Sequence, residues 1–224
     1  KRYAAVLVAC GGVIMAQVVC SLLADGPSDT ALLPILRWIV AQRDGNATVR
    51  CEWADLRELR PAPRSLSERI LKAVEFYSCD VLFVHRDAEK QSSATRYAEI
   101  AQAIDIAKTS GFDVPHICVV PVRMQEAWLL FSEQAIRTAA GNPNGTVRLS
   151  LPHLSKVEDI PDPKTVLYAL LCAASELQRR RLKKFNPGRR ARQVPEHIAD
   201  FSPLRALPAF QRLEADVAQM NSGL

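Results

Sequence analysis

Five carboxylates stand just beyond apolar runs that read as strands. Asp25 and Asp29 lie in Asp25-Gly26-Pro27-Ser28-Asp29, Asp87 and Glu89 in Arg86-Asp87-Ala88-Glu89, and Glu126 shortly after Arg123. Carboxylates held at close range repel and raise one another's pKa, and a divalent cation relieves that repulsion. Hard oxygen donors with positions left for water suit Mg²⁺ or Mn²⁺, which makes Asp25, Asp29, Asp87, Glu89 and Glu126 candidate metal ligands. Arg86 and Arg123 beside them could hold a phosphate through paired N–H donors. The same residue types also build ordinary turns: Asp29 could be a helix cap and Glu89 a solvated side chain. Spacing alone leaves both readings open.

The elements around these residues place them together. Apolar runs at residues 17–24, 47–53, 80–85 and 116–122 read as strands. The third, Val81-Leu82-Phe83-Val84, is continuous, as expected of a strand covered on both faces. Helical patterns lie between and after them, at about 29–42, 68–78, 93–109 and 125–140. Pro34 suggests a kink in the first, and Gly111 ends the third. Strand–helix alternation predicts an α/β fold with a mostly parallel sheet of about four strands flanked by helices. Right-handed crossovers bring all strand C-termini to one edge, where ligands of such sheets bind. The five carboxylates are therefore expected on one rim.

Beyond residue 147 the pattern changes. Residues 164–184 and 203–220 read as two helices with no obvious strand, an α-helical C-terminal layer packed on the sheet. Residues 1–147 carry 16 Lys/Arg and 16 Asp/Glu, whereas 148–224 carry 13 and 8 and so hold the whole net charge of +5. The excess is concentrated in Arg179, Arg180, Arg181, Lys183, Lys184, Arg189, Arg190 and Arg192, eight cations in 14 residues without an acid. A helix C-terminus favours cations, but not eight of them. Phosphate contact with counterion release is the usual relief for such a density, so this segment is a candidate nucleic-acid surface led by the backbone rather than by bases. A solvated helix end and an acidic protein partner are the alternatives. The turn Phe185-Asn186-Pro187-Gly188 predicts a mobile second block.

Composition narrows the rest. The chain has 224 residues, 48% hydrophobic and 24% charged, with 9 Gly and 14 Pro, which excludes a wholly disordered or collagen-like chain. Cys10, Cys20, Cys51, Cys79, Cys118 and Cys172 form no CxxC pair, and His85, His116, His153 and His197 are isolated, so no zinc site is expected. Scattered cysteines in apolar runs fit buried thiols in a reducing cytoplasm. Residues 1–14, with Lys1-Arg2 ahead of an apolar run, imitate a secretory signal, and Leu7-Val8-Ala9-Cys10 a lipid-attachment box. Gly11-Gly12 and Gln17 interrupt that run, and the expectation is an upstream extension ahead of Met15, with no membrane association. The turn at Gly26 lacks the Gly-Lys-Ser/Thr of a P-loop, and there is no GxSxG elbow or GxGxxG turn. Trp38, Trp53 and Trp128 read as core or half-buried anchors.

The turn Asp25-Gly26-Pro27-Ser28-Asp29 resembles the acidic-Gly-x-x-Asp turn of the Toprim (topoisomerase–primase) superfamily, and Val84-His85-Arg86-Asp87-Ala88-Glu89 resembles its second acidic motif. The stretches Val120–Leu130 and Asp200–Phe210 are similar to those of a compact bacterial family of unknown function with a Toprim-like core. The resemblance covers roughly residues 15–217. It implies a Toprim-like core over 15–147 with the basic region 148–224 on it. It also implies that Asp25 takes the place of a general acid/base Glu, that Asp87 and Glu89 ligate Mg²⁺, and that Glu126 completes the shell. Asp25 and Glu89 differ in length from the superfamily's residues, which moves each carboxylate by more than an ångström and bears on catalysis more than on metal binding.

Three functions fit these residues. The first is a cytoplasmic Mg²⁺-dependent nuclease or phosphodiesterase with Asp25, Asp87 and Glu89 catalytic and the basic segment holding DNA or RNA. The resemblance makes a separate ATPase partner in anti-phage defence plausible for it. The second is a non-catalytic subunit of the same fold that binds nucleic acid or protein. The third is a small-molecule phosphatase using the same rim.

Overall fold

The computed structural model describes residues 8–10, 13–15, 17–43 and 47–220. The expectation for residues 1–14 lies outside the described residues, apart from strands β1 (Val8–Cys10) and β2 (Val13–Met15), which pair antiparallel. The remaining strands are β3 (Gln17–Leu23), β4 (Thr48–Trp53), β5 (Val81–His85) and β6 (His116–Val119). They form one all-parallel sheet in the order β4-β3-β5-β6. The fold is α/β and Rossmann-like, as the strand–helix alternation predicts. β4 is an edge strand and β5, buried at all five residues, lies inside the sheet.

Side-chain alternation divides the interior into two cores. Cys20, Leu22 and Ala24 of the β3 segment, Val81 and Phe83 of β5, and Ile117 and Val119 of β6 face one side. There they meet helix α1 (Leu33–Arg43) through Leu36, Ile39 and Val40. Leu23, Leu82, Val84 and Val120 face the other side, against α2 (Leu66–Phe76) and α3 (Ser93–Thr109) through Ile70, Ala73, Ile100 and Ile104. Period-two strands thus feed a helix layer on each face. Asp80 starts β5 by a side-chain substitution for the ladder: its Oδ2 accepts from the Val19 N–H at 2.8 Å.

The first core also takes in the C-terminal region, through Leu167, Leu171, Phe201, Leu204, Phe210 and Leu213. Trp128 is fully buried there and meets the Phe210 ring edge-on at 5.6 Å. Trp38 and Trp53 are partly buried against the same cluster. Among the described residues, no helix is long and apolar enough to cross a membrane.

Four expected helices are shorter than their patterns, each for a local reason. Residues 29–42 split into a 3₁₀ turn (Pro27–Leu32) and α1, which changes winding just before Pro34. Residues 125–140 split into a 3₁₀ turn (Gln125–Leu129) and α4 (Glu133–Ala139), because the Ser132 hydroxyl caps the Ala135 N–H and starts a new helix. Residues 164–184 break after α5 (Pro163–Ala174). Glu176 turns to φ +52°, and its carboxylate accepts the N–H groups of Thr146 and Val147 at 2.6 and 2.9 Å, tying the helix end to a distant loop. Two short helices follow, α6 (Arg179–Leu182) and α7 (Pro187–Ala191). The last pattern, 203–220, becomes a 3₁₀ turn (Ser202–Ala206) and α8 (Pro208–Ala218), since Pro208 holds Leu207 in extended backbone.

Candidate active site at the carboxyl rim of the sheet

From β3 the chain runs out to β4 and returns across to β5, so connections leave β3 and β5 in opposite directions. The crevice beyond their C-terminal ends is where doubly wound sheets bind ligands. Asp25 and Asp29 follow β3, and Arg86, Asp87 and Glu89 follow β5. The segment after β6 is zipped to the segment after β5 by main-chain hydrogen bonds: Arg86 N–H to Val119 O at 3.2 Å, Ala88 N–H to Pro121 O at 3.2 Å, and Glu89 N–H to Arg123 O at 2.7 Å. Glu89 and Arg123 are both left-handed there, with φ +53° and +63°. Two non-glycine residues in that region at adjacent strand ends store backbone strain of the kind found at functional sites.

The zipped loop delivers Gln125, which joins the two acidic turns. Its backbone N–H donates to Asp87 Oδ1 at 3.0 Å and its side-chain Nε2 donates to Asp29 Oδ1 at 3.0 Å. Gln125 is only 3% exposed, and because Nε2 faces a carboxylate its other amide atom is an oxygen, Oε1, buried without a hydrogen-bond partner. Asp29 also receives the Gly26 N–H at 2.9 Å and the Ser28 hydroxyl at 3.0 Å. It is therefore a turn-capping residue and a member of the buried cluster at once, so the two readings of its type are compatible.

Burial dominates the electrostatics. Asp87 is pushed up to about 7, first by burial and then by the Asp29 charge, against the opposing Gln125 N–H. Glu126 is raised mainly by burial as well, with Asp87 adding to it and Lys164, 3.9 Å away, opposing it. His85, the last residue of β5, is 2% exposed. Its Nδ1 lies 2.9 Å from the Val119 carbonyl oxygen, to which only a proton-bearing nitrogen can donate, so Nε2 carries the lone pair. That nitrogen sits 3.6 Å from Asp87 Oδ1, and burial lowers the imidazole pKa and keeps the ring neutral. Asp29, Asp87 and Glu126 are thus brought together, with His85 behind them.

Asp25 and Glu89 are placed differently. Asp25 is half exposed and meets the Arg69 guanidinium at 2.7 Å and that of Arg86 at 3.5 Å. Glu89 is more exposed and faces Arg96 at 3.4 Å, while Arg96 also donates to the Asp87 carbonyl oxygen at 3.0 Å. Arg86 is shared between Asp25 and Glu99, and Arg123 donates to the Glu89 carbonyl oxygen at 3.2 Å. Among the described residues, no three His, Cys, Asp or Glu side chains form a ready-made metal cage. Mg²⁺ commonly uses only one or two protein carboxylates, keeping water and phosphate oxygens for its other positions. Asp29, Asp87 and the unpartnered Gln125 Oε1 are hard oxygen donors of the kind it takes.

The basic segment is next to this rim, not remote from it. A cavity of about 10 Å³, room for one water, is lined by Ser28, Gln125 and Glu126 from the rim and by Gly188, Ala191 and Arg192 from α7 and its end. The expectation of a mobile second block is corrected: Asn186 Oδ1 caps α7 by accepting the Arg189 N–H at 2.9 Å, and Ala191 and Val194 anchor it in the first core. Tyr168 underlies Gly188 so closely that a Cβ there would lie 2.9 Å from its hydroxyl oxygen. Arg179, Arg180, Arg181, Lys183, Lys184, Arg189 and Arg192 are exposed, and Arg190 is partly buried.

Sequence reasoning missed His85, Gln125, Arg69, Arg96 and Lys164 as parts of the site. Only His85 carries a signal, its position at the end of the strongest strand. Burial pushes the Cys79 and Cys118 thiols up to about 11, so neither is suited to act as a thiolate nucleophile. No known protein family, curated protein or solved structure matches the chain.

Proposed function

We propose that the protein is a Mg²⁺-dependent nuclease or phosphodiesterase working at the rim between β3 and β5. The observation that carries this reading is the shared cavity wall, on which Gln125 and Glu126 of the acidic rim meet Gly188 and Arg192 of the basic segment. A surface that attracts phosphates is thereby adjacent to carboxylates suited to a cation that activates them. Asp29 and Asp87 would hold the cation, with Glu126 beside them, and the cation would supply charge stabilisation at a phosphate oxygen. Arg69 and Arg86, at the mouth beside Asp25, would hold the phosphate group. Asp25, the most solvent-accessible carboxylate of the β3 turn, would exchange the proton of the attacking water. Glu89 and Arg96 would fix the loop that carries Asp87, while the buried His85 ring, 3.6 Å from Asp87 Oδ1, would shield that oxygen from water. Hydrolysis joins the water oxygen to phosphorus and breaks the bond to the leaving strand, whose oxygen takes up a proton.

The resemblance to Toprim proteins supports the same chemistry and extends the proposal to a cytoplasmic protein acting with a separate ATPase in anti-phage defence. A second reading is favoured by one feature: Asp25 and Glu89 are each paired with arginine, as in a fold kept for binding rather than cutting. Calorimetric titration of Mg²⁺ and Mn²⁺ into wild type and Asp87→Ala, followed by incubation with supercoiled plasmid, separates the two. Metal binding and nicking that both vanish in Asp87→Ala support the nuclease. Absence of binding at millimolar metal removes it and leaves the binding subunit.

A further inference from the structure

Helix α7 has two chemical sides. Gly188, Ala191 and Arg192 line the rim cavity, whereas Arg189, Arg190 and Gln193 line a second cavity of about 340 Å³ on another side of the helix. Arg181, Lys184 and the Phe185 ring complete its wall. Four cations therefore share one concave space, and among the described residues none of them has a carboxylate within ion-pair distance. One of them, Arg190, is fixed in position by its own side-chain contacts. Arg190 Nη1 donates to Gln193 Oε1 at 3.3 Å, and its guanidinium stands 6.0 Å from the centre of the Phe185 ring.

A surface that follows a nucleic-acid strand spreads its cations along the phosphates, because each diester carries a single charge. Cations gathered in a concavity focus their field on one point, where a doubly charged group offsets their repulsion best. A terminal phosphate monoester carries about −1.5 to −2 near neutral pH and offers three acceptor oxygens. The cavity is larger than one phosphate group needs and falls in the range of small-molecule sites, with the partly buried Phe185 ring on its wall available to a base. We propose that this cavity binds the terminal phosphate monoester of a nucleic-acid strand and, resting on the nuclease reading above, that it fixes the strand end on the far side of α7 from the rim. A helix is about 10 Å across, so the diester presented to the rim would lie within the first few nucleotides of the anchored end.

The test is fluorescence anisotropy in EDTA, which keeps cutting out of the readout. Three labelled single-stranded oligonucleotides of one sequence are compared: 5′-phosphorylated, 3′-phosphorylated, and hydroxyl at both ends. The expected result is tighter binding of one or both phosphorylated strands, on the order of tenfold, lost in Arg181→Ala/Arg189→Ala and suppressed by inorganic phosphate. The charge-matched variant Lys72→Ala/Lys156→Ala should retain the preference. Which phosphorylated strand wins identifies the end. Equal binding of all three strands, or a preference that survives Arg181→Ala/Arg189→Ala, overturns the proposal. Binding is read without metal, so cutting is read separately, on the same end-phosphorylated strand after Mg²⁺ is supplied: an end preference without cleavage of that strand would retire the nuclease and keep the pocket, whereas cleavage without an end preference would do the reverse.

Discussion

The acidic rim and the basic segment are close neighbours that manage charge in opposite ways. At the rim, Asp29 and Glu126 are buried and Asp87 is partly so, and the protein meets the cost with Gln125, main-chain N–H groups and an Asp87 carboxyl whose pKa is raised to about 7. On α6 and α7 the cations stay largely in water, where solvent and salt screen their repulsion. The difference is one of stored energy. Burial turns each rim charge into a stability and protonation question, while exposure leaves the basic charges free for a partner.

The charge balance of the rim is most easily upset at Gln125. Gln125→Glu replaces the N–H donor to Asp29 with a fourth carboxyl in the same buried space. As an anion it would cost about 3–5 kcal/mol, the range for an uncompensated buried charge, so it should take up a proton instead. Urea unfolding should then show a severe loss at pH 8 and a much smaller one at pH 5. Equal losses at the two pH values would mean that the rim holds no electrostatic tension.

Asp87→Asn works in the opposite direction and is the next largest. The Asp87 pKa is about 7 in the folded protein, against an ordinary value of 3.8. Between those values the folded chain holds a proton that the unfolded chain has released, so stability is full below about pH 4 and falls as pH rises to about 7. Asparagine cannot ionise, and its side-chain oxygen can still accept the Gln125 N–H. The variant should match wild type near pH 4 and exceed it by roughly 2–4 kcal/mol at pH 8. Unfolding curves across that range check the sign. An Asn variant less stable at pH 8 would show that Asp87 is held ionised and stabilised.

How much of this was legible follows the same division. The strands were readable because burial on both faces demands continuous apolar runs, and Val81–Val84 could hardly be anything else. The rim carboxylates were readable because strand ends in a parallel sheet share an edge. Gln125 was not, since its reach to both Asp29 and Asp87 depends on the left-handed Arg123 and on the pairing of the Glu89 and Arg123 loops. Arg69 and Arg96 were hidden for a related reason: each sits on a helix whose rotation about its own axis decides whether it meets Asp25 or Glu89. The break at Glu176 was invisible because its cause, the Thr146–Val147 main chain, lies some thirty residues earlier.

Asp25→Asn sharpens the contrast within the rim. This carboxylate is half exposed and paired with Arg69 and Arg86, so removing its charge should cost only about 0.2–1 kcal/mol, the value of a surface ion pair. Under the proposed function the same change should reduce plasmid nicking by orders of magnitude. A variant as stable as wild type and fully active would remove Asp25 from the chemistry and leave proton exchange to Asp87.

The smallest stability effect should come from the largest charge change. Arg179→Ala/Arg180→Ala/Lys183→Ala removes three exposed cations from one short helix and its end, where none is part of a core. The melting temperature should move by less than about 2 °C, as expected of surface sites without buried partners. If these side chains meet phosphates, the effect belongs in binding: the slope of log affinity against log salt for duplex DNA should flatten by about 0.9 for each phosphate that is no longer neutralised. A large change in melting temperature would instead mean that α6 is held by its charges. An unchanged salt slope would move the nucleic-acid surface to Arg181, Lys184 and the α7 cations, where the concave pocket already gathers them.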